Sequence, residues 1–441
     1  MKARLPRLTF WRVVLILILA AGLFSTVVRF ALGLGASTAL SDQFPWGLWI
    51  GFDVLCGVAL AAGGFTISAV VYIFHIERFR PIVRPTILTA FLGYSLVIVG
   101  LIFDLGRGYK IYNPLVMWNP HSVMFEVAWC VMLYTTVLAL EFSPILFETL
   151  NWRKPLSVVK SVMIPLVILG VVLSTLHQSS LGTLFLIVPG KLYPLWYSPL
   201  LPVLFFVSAV ALGCAMTIFE SFLSWRAFHR RLELDLLSDL GKVIVVALGV
   251  YMILRVQDLI HNGTWSLAFG SGYEARLFQA EFILGVLAPI ILLLIPAVRH
   301  DDFGLFASSV MVIAGIVMNR LNVSITGLER AAGASYVPSW MEVAVTLSLT
   351  GIGFLLFSLA VRYLKIFPEE QEESAQQRLP LPAVAQLSRP AFSTTRAVLV
   401  AGVIVFLLAL ALATDGVLKR PSAERAAAET TTTMVHVSGA P

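Results

Sequence analysis

The chain has 441 residues, of which 58% are hydrophobic and 13% are charged, with a formal net charge of +6. Soluble domains carry roughly 25% charged residues, so a water-soluble globule is excluded and a polytopic membrane protein is expected. Its surroundings are membrane lipid, and no nucleic-acid partner is expected.

A transmembrane helix needs ~20 apolar residues. The opening segment MKARLPRLTFWRVVLILILA mimics a secretion signal but lacks a clear small-residue cleavage site, so it reads as an uncleaved first helix. Taken in order, the apolar runs are 13–33, 48–74, 85–103, 122–143, 159–177, 200–224, 242–261, 279–297, 304–319, 343–363 and 397–414. The run at 304–319 is the weakest. The fold class is therefore all-α: a polytopic transmembrane helix bundle of about 10–11 helices with no soluble domain. Residues 1–363 form the bundle, 364–396 a charged Pro-rich cytoplasmic linker, 397–414 an extra C-terminal transmembrane helix, and 415–441 a disordered tail.

Most of the 31 Lys and Arg fall in the segments that share a side with the N-terminus. Positively charged loops stay cytoplasmic, so the N-terminus is expected inside. The outer loops 104–121, 178–199 and 320–342 are long and rich in Trp and Tyr. They read either as a docking face for a partner or simply as longer connections.

A charged side chain deep in a bilayer costs about 2.5–3.5 kcal/mol on insertion scales, and such groups usually face a bundle interior. Asp53 carries that cost inside PWGLWIGFDVLCG. Glu126 and Glu141 share the fourth run, His177 ends the fifth, Glu220 lies in the sixth, Arg255 and Asp258 in the seventh, Glu281 in the eighth, and Glu342 opens the tenth. Arg84 opens the third run and Asp104 closes it. Glu126 and Glu141 are ~22 Å apart along a helix, most of the hydrocarbon thickness. They differ by only ~60° in azimuth, so both can face one interior, with Tyr134 between them. For Arg29, Arg362 and Glu342 an interhelical pair or a snorkelling end charge is the simpler reading. For Asp53, Glu126, Glu141 and Glu220 a functional role is.

The three cysteines, Cys56, Cys130 and Cys214, lie in apolar runs without a CxxC or CxxCH. This pattern cannot ligate an iron–sulfur cluster or attach a c-type haem within the chain. A membrane b-haem needs two histidines at facing depths. The seven here are His75, His121, His177, His229, His261, His300 and His436, and no helix carries two of them one membrane depth apart. No haem is expected.

Assembled, these residues resemble the NrfD/polysulfide-reductase membrane subunits, and most of all their HybB-type branch from [NiFe]-hydrogenase 2. The matching strings are FPWGLWIGFDVLCG, VRPTILTAFLGYSL, FDLGRG, HSVMFEVAWCVMLYTTVLALEFSP, HQSSLGTL, YPLWYSPLLPVLF and YVPSWMEV, in family order from about 44 to 342. The resemblance implies a subunit of the bacterial inner membrane that binds no haem. Such a subunit passes electrons between a periplasmic ferredoxin-like [4Fe–4S] protein and a quinone, menaquinone in the first instance. In the HybB-type branch, [NiFe]-hydrogenase large and small subunits feed that protein. By motif position, Asp53, Arg84, Tyr94, Glu126, Glu141, His177 and Glu220 are the polar interior residues, expected on a proton path or at a quinone site. Trp49, Asp53, Tyr94, Glu126 and His177 are those expected around the quinone, and no metal ligands are expected. The run at 397–414 departs from the ten-helix pattern of that branch. The alternatives are a membrane subunit of a different periplasmic oxidoreductase, polysulfide- or cytochrome-linked, or a secondary transporter.

Overall fold

In lipid, backbone N–H and C=O groups have no water to bond, so apolar runs of this length satisfy themselves as helices. The computed structural model describes residues 10–188, 190–228 and 232–367. Among these, ten helices are long and apolar enough to cross a membrane. They are α1 (Phe10–Leu32), α2 (Trp49–Ile73), α3 (Glu77–Asp104), α4 (Val123–Thr149), α5 (Met163–Thr183), α6 (Leu201–Phe228), α7 (Leu234–His261), α8 (Tyr273–Leu294), α9 (Asp302–Ala332) and α10 (Trp340–Tyr363). The described residues contain no strand. The expected linker beyond 367, the run at 397–414 and the tail lie outside the described residues.

Neighbours in sequence pack as neighbours in space. Helices α2 to α5 form one four-helix group and α6 to α9 a second. The groups join where α6 packs on α2 and α5, and where α9 meets α2. Helices α1 and α10 pair along their length and lean on α3 through α10. The near face of the bundle is the one at which α1 begins, and the far face is the opposite one.

The burial of each helix follows this arrangement. Most of α2 is enclosed, whereas α1 is largely exposed to its surroundings. Helix α2 is also irregular. Its stretches Trp49–Cys56 and Ala69–Ile73 are π-helical, as are Ile283–Leu287 in α8 and Asn322–Thr326 in α9. Such wide turns are rare and concentrate at functional sites, because they re-aim a side chain without ending the helix. Asp53 sits on the first of them.

One element differs from the sequence expectation. The ninth helix does not stop near residue 319 but runs to Ala332, so Arg320 lies within it rather than in a loop. A buried guanidinium is tolerated there because Arg320 bonds the Phe205 carbonyl (3.0 Å) and the Ser208 hydroxyl (2.8 Å) and lies 3.5 Å over the Phe205 ring. Of the two readings for Arg29, the structure takes the interhelical one. It is 4% exposed and donates to the carbonyls of Phe103 and Leu105, each at 2.7 Å, so that α1 caps the far-face end of α3.

Candidate functional site

The polar residues of the first helix group separate into two systems, one on each side of α3. The first is a cleft of about 260 Å³ walled by α2, α3, α6 and α10. Its lining is mostly apolar, with Phe219, Phe354 and Phe357 prominent, and it carries two carboxyl groups, Asp53 and Glu220. Drug-sized ligand sites run ~300–1,000 Å³, so the cleft is close to the lower end of that range. Phe354, Ser358 and Ala227 line it and are exposed at the surface of α10 and α6. The cleft therefore opens sideways, toward the hydrocarbon, between those two helices.

Asp53 stands toward the far-face end of the cleft and is 8% exposed. Its Oδ2 accepts a hydrogen bond from Thr346 Oγ1 of α10 at 2.9 Å. Gly100 of α3 makes room for it, since a Cβ at that position would stand 2.8 Å from Asp53 Cβ. Trp49, one turn earlier on α2 and almost fully buried, donates its indole N–H to the Glu342 carbonyl at 3.3 Å. Glu220 stands on the near-face half of α6, is 9% exposed, and makes no well-aligned hydrogen bond at either carboxylate oxygen. Its polar neighbour is the Thr89 hydroxyl, which also lines the cleft and has no other partner.

The second system is a polar column between α3, α4 and α5. Residues Gly170, Ser174, His177 and Ser180 recur at helical spacing along α5, so they share one face of it. At the far-face end Ser180 Oγ donates to Glu126 Oε1 at 2.5 Å. Further in, the Tyr94 hydroxyl lies 3.0 Å from His177 Nδ1, and the Tyr94 ring meets Tyr134 edge-on, with centroids 4.7 Å apart. His177 is fully buried. Its Nε2 is buried without a partner, and the buried hydroxyls of Ser174 and Tyr134 neighbour each other without a well-aligned bond. Glu141 follows, 5% exposed, in a slot that Gly170 keeps open, where a Cβ would come within 2.9 Å of Glu141 Oε1. Buried hydroxyls and imidazoles in series are groups that can hold and exchange protons.

The sequence-predicted residues thus divide. Asp53 and Glu220 both line the cleft, at its opposite ends, with Trp49 one turn before Asp53. Tyr94, Glu126, Glu141 and His177 belong to the column and do not line the cleft. Glu126 is exposed and Glu141 buried, although they share a helix, because Glu126 stands in the first turn of α4, where the bundle ends. Arg84 joins neither system. It pairs with Glu148 at 2.9 Å and donates to the Lys365 carbonyl at 3.0 Å, and Glu148 also holds Lys160 at 3.0 Å. This ties α3, α4 and the chain after α10 together at the near face.

Sequence reasoning underweights or misses three polar groups. Glu342 is fully buried, and its carboxylate accepts from Ala39 N–H (2.9 Å), Ser339 N–H (2.8 Å) and the Tyr336 hydroxyl. The capping box Ser339–Glu342 is readable from S-W-M-E, but the link to Ala39 is tertiary. Glu281 accepts from Trp196 Nε1 (3.0 Å), Asn319 Nδ2 (3.0 Å) and Asn322 Nδ2 (2.6 Å). Arg320 has no local sequence signal. Arg255 and Asp258 pair at 2.9 Å, and Ser198 and Asn262 complete the bonds to Asp258. In the second helix group these buried charges are therefore satisfied by several partners, whereas Glu220 has only the Thr89 hydroxyl beside it, without a well-aligned bond.

A family model described as polysulphide reductase, NrfD, matches residues 36–332. The chain is 43% identical over 341 residues to a protein of Nitratidesulfovibrio vulgaris, covering 75% of this chain and 87% of that one. It is 34% identical over 348 residues to the probable Ni/Fe-hydrogenase 2 b-type cytochrome subunit of Escherichia coli, covering 78% and 88%. It is 30% identical over 400 residues to the menaquinone reductase integral membrane subunit of N. vulgaris, covering 84% and 94%. The name of the E. coli relative raises a b-haem, and the residues here do not fit one held between two imidazoles. Among the described residues His177 is the only buried histidine, with Nδ1 engaged by Tyr94, while His75, His121, His261 and His300 are exposed.

Proposed function

The chain belongs to the NrfD, polysulphide reductase, family of integral membrane proteins, and from that premise we propose that it is the quinone-reactive anchor of a respiratory complex. It lies in the bacterial inner membrane with its N-terminus cytoplasmic and its far face periplasmic. A periplasmic ferredoxin-like [4Fe–4S] protein docks on the far face and supplies electrons. The relative named as a hydrogenase-2 subunit favours [NiFe]-hydrogenase large and small subunits as the source, and the relative named as a menaquinone reductase subunit favours menaquinone as the acceptor.

One observation carries this reading: a narrow apolar cleft, open to lipid, with a buried carboxyl group at its far-face end. Reduction of a quinone to a quinol takes two electrons and two protons. Two electrons arrive from the docked protein, and two protons must reach the two ring oxygens. Asp53, held by Thr346 and backed by Trp49, hydrogen-bonds a ring oxygen and holds a proton for it. A carboxyl group in an apolar site suits that work. The column from Glu126 through Ser180, His177, Tyr94 and Tyr134 to Glu141 conducts protons through the first helix group. The geometry favours conduction over direct quinone contact for Tyr94, Glu126 and His177, since none of them lines the cleft. Arg84 anchors the near-face end of α3 beside the column.

The test is equilibrium binding of menaquinone-4 to the full-length chain in nanodiscs, followed by tryptophan quenching. Saturable binding that weakens at least tenfold in Asp53→Leu supports the reading. Equal binding to both proteins removes it.

A second reading concerns only the electron donor. The similarity to the menaquinone reductase subunit fits a donor other than hydrogenase equally well. Identification of the proteins that co-purify with a tagged chain separates the two.

A further inference from the structure

Glu220 is a carboxyl group of the cleft that the reading above leaves without a chemical task. It makes no well-aligned hydrogen bond, the residue is 9% exposed, no ion pair among the described residues includes it, and its polar neighbour is the Thr89 hydroxyl, itself without another partner. Thr89 and the buried Ser224 line the same end of the cleft. An isoprenoid or acyl chain lying there offers no hydrogen bond, and an uncompensated buried carboxyl group is costly.

Depth narrows the choice of ligand. Glu220 lies ~12 Å along α6 from its near-face end at Phe228; α6 has 28 residues and is ~42 Å long, so Glu220 stands about one turn inside a hydrocarbon core ~30 Å thick. A phosphate head group belongs at the interface and would be repelled by a carboxylate. A quinone head group is an apolar ring with two acceptor oxygens that become donors on reduction. It is at home at this depth and complements a carboxyl group beside a hydroxyl. Along α3, the cleft runs from Thr89 to Val97, ~12 Å, so its two polar ends are separate positions and not two sides of one.

We infer that the cleft has two head-group stations, one at Asp53 and a second at Glu220, Thr89 and Ser224, where a quinone or quinol head group rests in the near-face half of the membrane. This rests on the reading of the cleft as a quinone site. Asp53 marks the position nearest the far-face electron donor, and Glu220 marks the position nearest the lateral opening between α6 and α10. A head group entering from lipid meets Glu220 first, and the product leaves past it.

The experiment is photolabelling of the full-length chain in nanodiscs with an azido-naphthoquinone carrying a short isoprenoid tail, with the labelled peptides mapped by mass spectrometry. In the wild type, label is expected at two places: Phe52 to Gly57 of α2, and Phe219 to Ser224 of α6 with Phe357 and Ser358 of α10. Glu220→Leu, which keeps the bulk and removes the hydrogen bond, loses the second set and keeps the first. Glu220→Gln, which can still donate, keeps both. Thr89→Val weakens only the second set. Asp53→Leu, the matching change at the other end, loses only the first. Label confined to the Asp53 end in the wild type, or an unchanged pattern in both Glu220→Leu and Thr89→Val, overturns the second station while leaving the quinone site standing. Label at neither end removes both.

Discussion

Thr346 donates its hydroxyl to Asp53 across the α2–α10 contact at 2.9 Å, and this bond fixes the buried carboxyl group against α10. A hydrogen bond of this kind contributes ~0.5–1.5 kcal/mol net. Thr346→Val should therefore lower quinone turnover several-fold, while Thr346→Ser should restore most of it. Steady-state menaquinone-4 reduction by the purified complex measures both.

Gly100 and Asp53 form a steric pair. An alanine Cβ at 100 would stand 2.8 Å from Asp53 Cβ, against α3 backbone that cannot retreat far. Gly100→Ala should raise the KM for quinone several-fold with little loss of folded protein. Overpacking of this kind costs ~1–3 kcal/mol. A KM unchanged in the variant would show that Asp53 does not need its present position.

The column makes a different kind of prediction. Tyr94→Phe removes the hydroxyl that meets His177 Nδ1 but leaves the ring against Tyr134. Quinone binding should stay within twofold of wild type, while turnover should fall about tenfold. Stopped-flow reduction and equilibrium titration on the same preparation separate the two. Loss of binding with intact single-turnover reduction would move Tyr94 into the quinone site.

Glu342 is expected to matter first for folding. Its carboxylate collects two backbone N–H groups and the Tyr336 hydroxyl, and Leu48 N–H in turn donates to that hydroxyl at 2.8 Å. Burial, then the bond to Glu342, holds the Tyr336 hydroxyl well above the usual phenol range, so it stays a donor at any working pH. Unpartnered buried groups cost ~1–3 kcal/mol each. Glu342→Leu should lower the thermal midpoint in detergent by several degrees, and Tyr336→Phe by less. Equal midpoints for Glu342→Leu and wild type would show that these bonds contribute little.

How much of the fold and site is legible in the chain depends on where each signal lives. The spans read out because lipid demands ~20 apolar residues at a stretch. Asp53, Glu141 and Glu220 read out because a carboxyl group in such a run has few options but the bundle interior. Arg320 does not, because its partners, Phe205 and Ser208, lie on another helix and hydropathy alone ends the run before it. The azimuth of Glu126 is nearly that of Glu141, yet its place in the first turn of α4 leaves it exposed. The cleft itself is illegible. Its walls come from α2, α3, α6 and α10, and no local pattern pairs Asp53 with Glu220. The buried role of Glu342 is hidden for the same reason, since Ala39 is far from it in sequence.

The most direct measurement is quinone reduction by the native complex isolated through a tagged chain, assayed in parallel with a soluble dye that takes electrons from the partner alone. Asp53→Asn should cut menaquinone-4 reduction at least tenfold while dye reduction stays at the wild-type rate. Wild-type quinone reduction in Asp53→Asn would show that the buried carboxyl group at the far end of the cleft is not where the quinone is protonated.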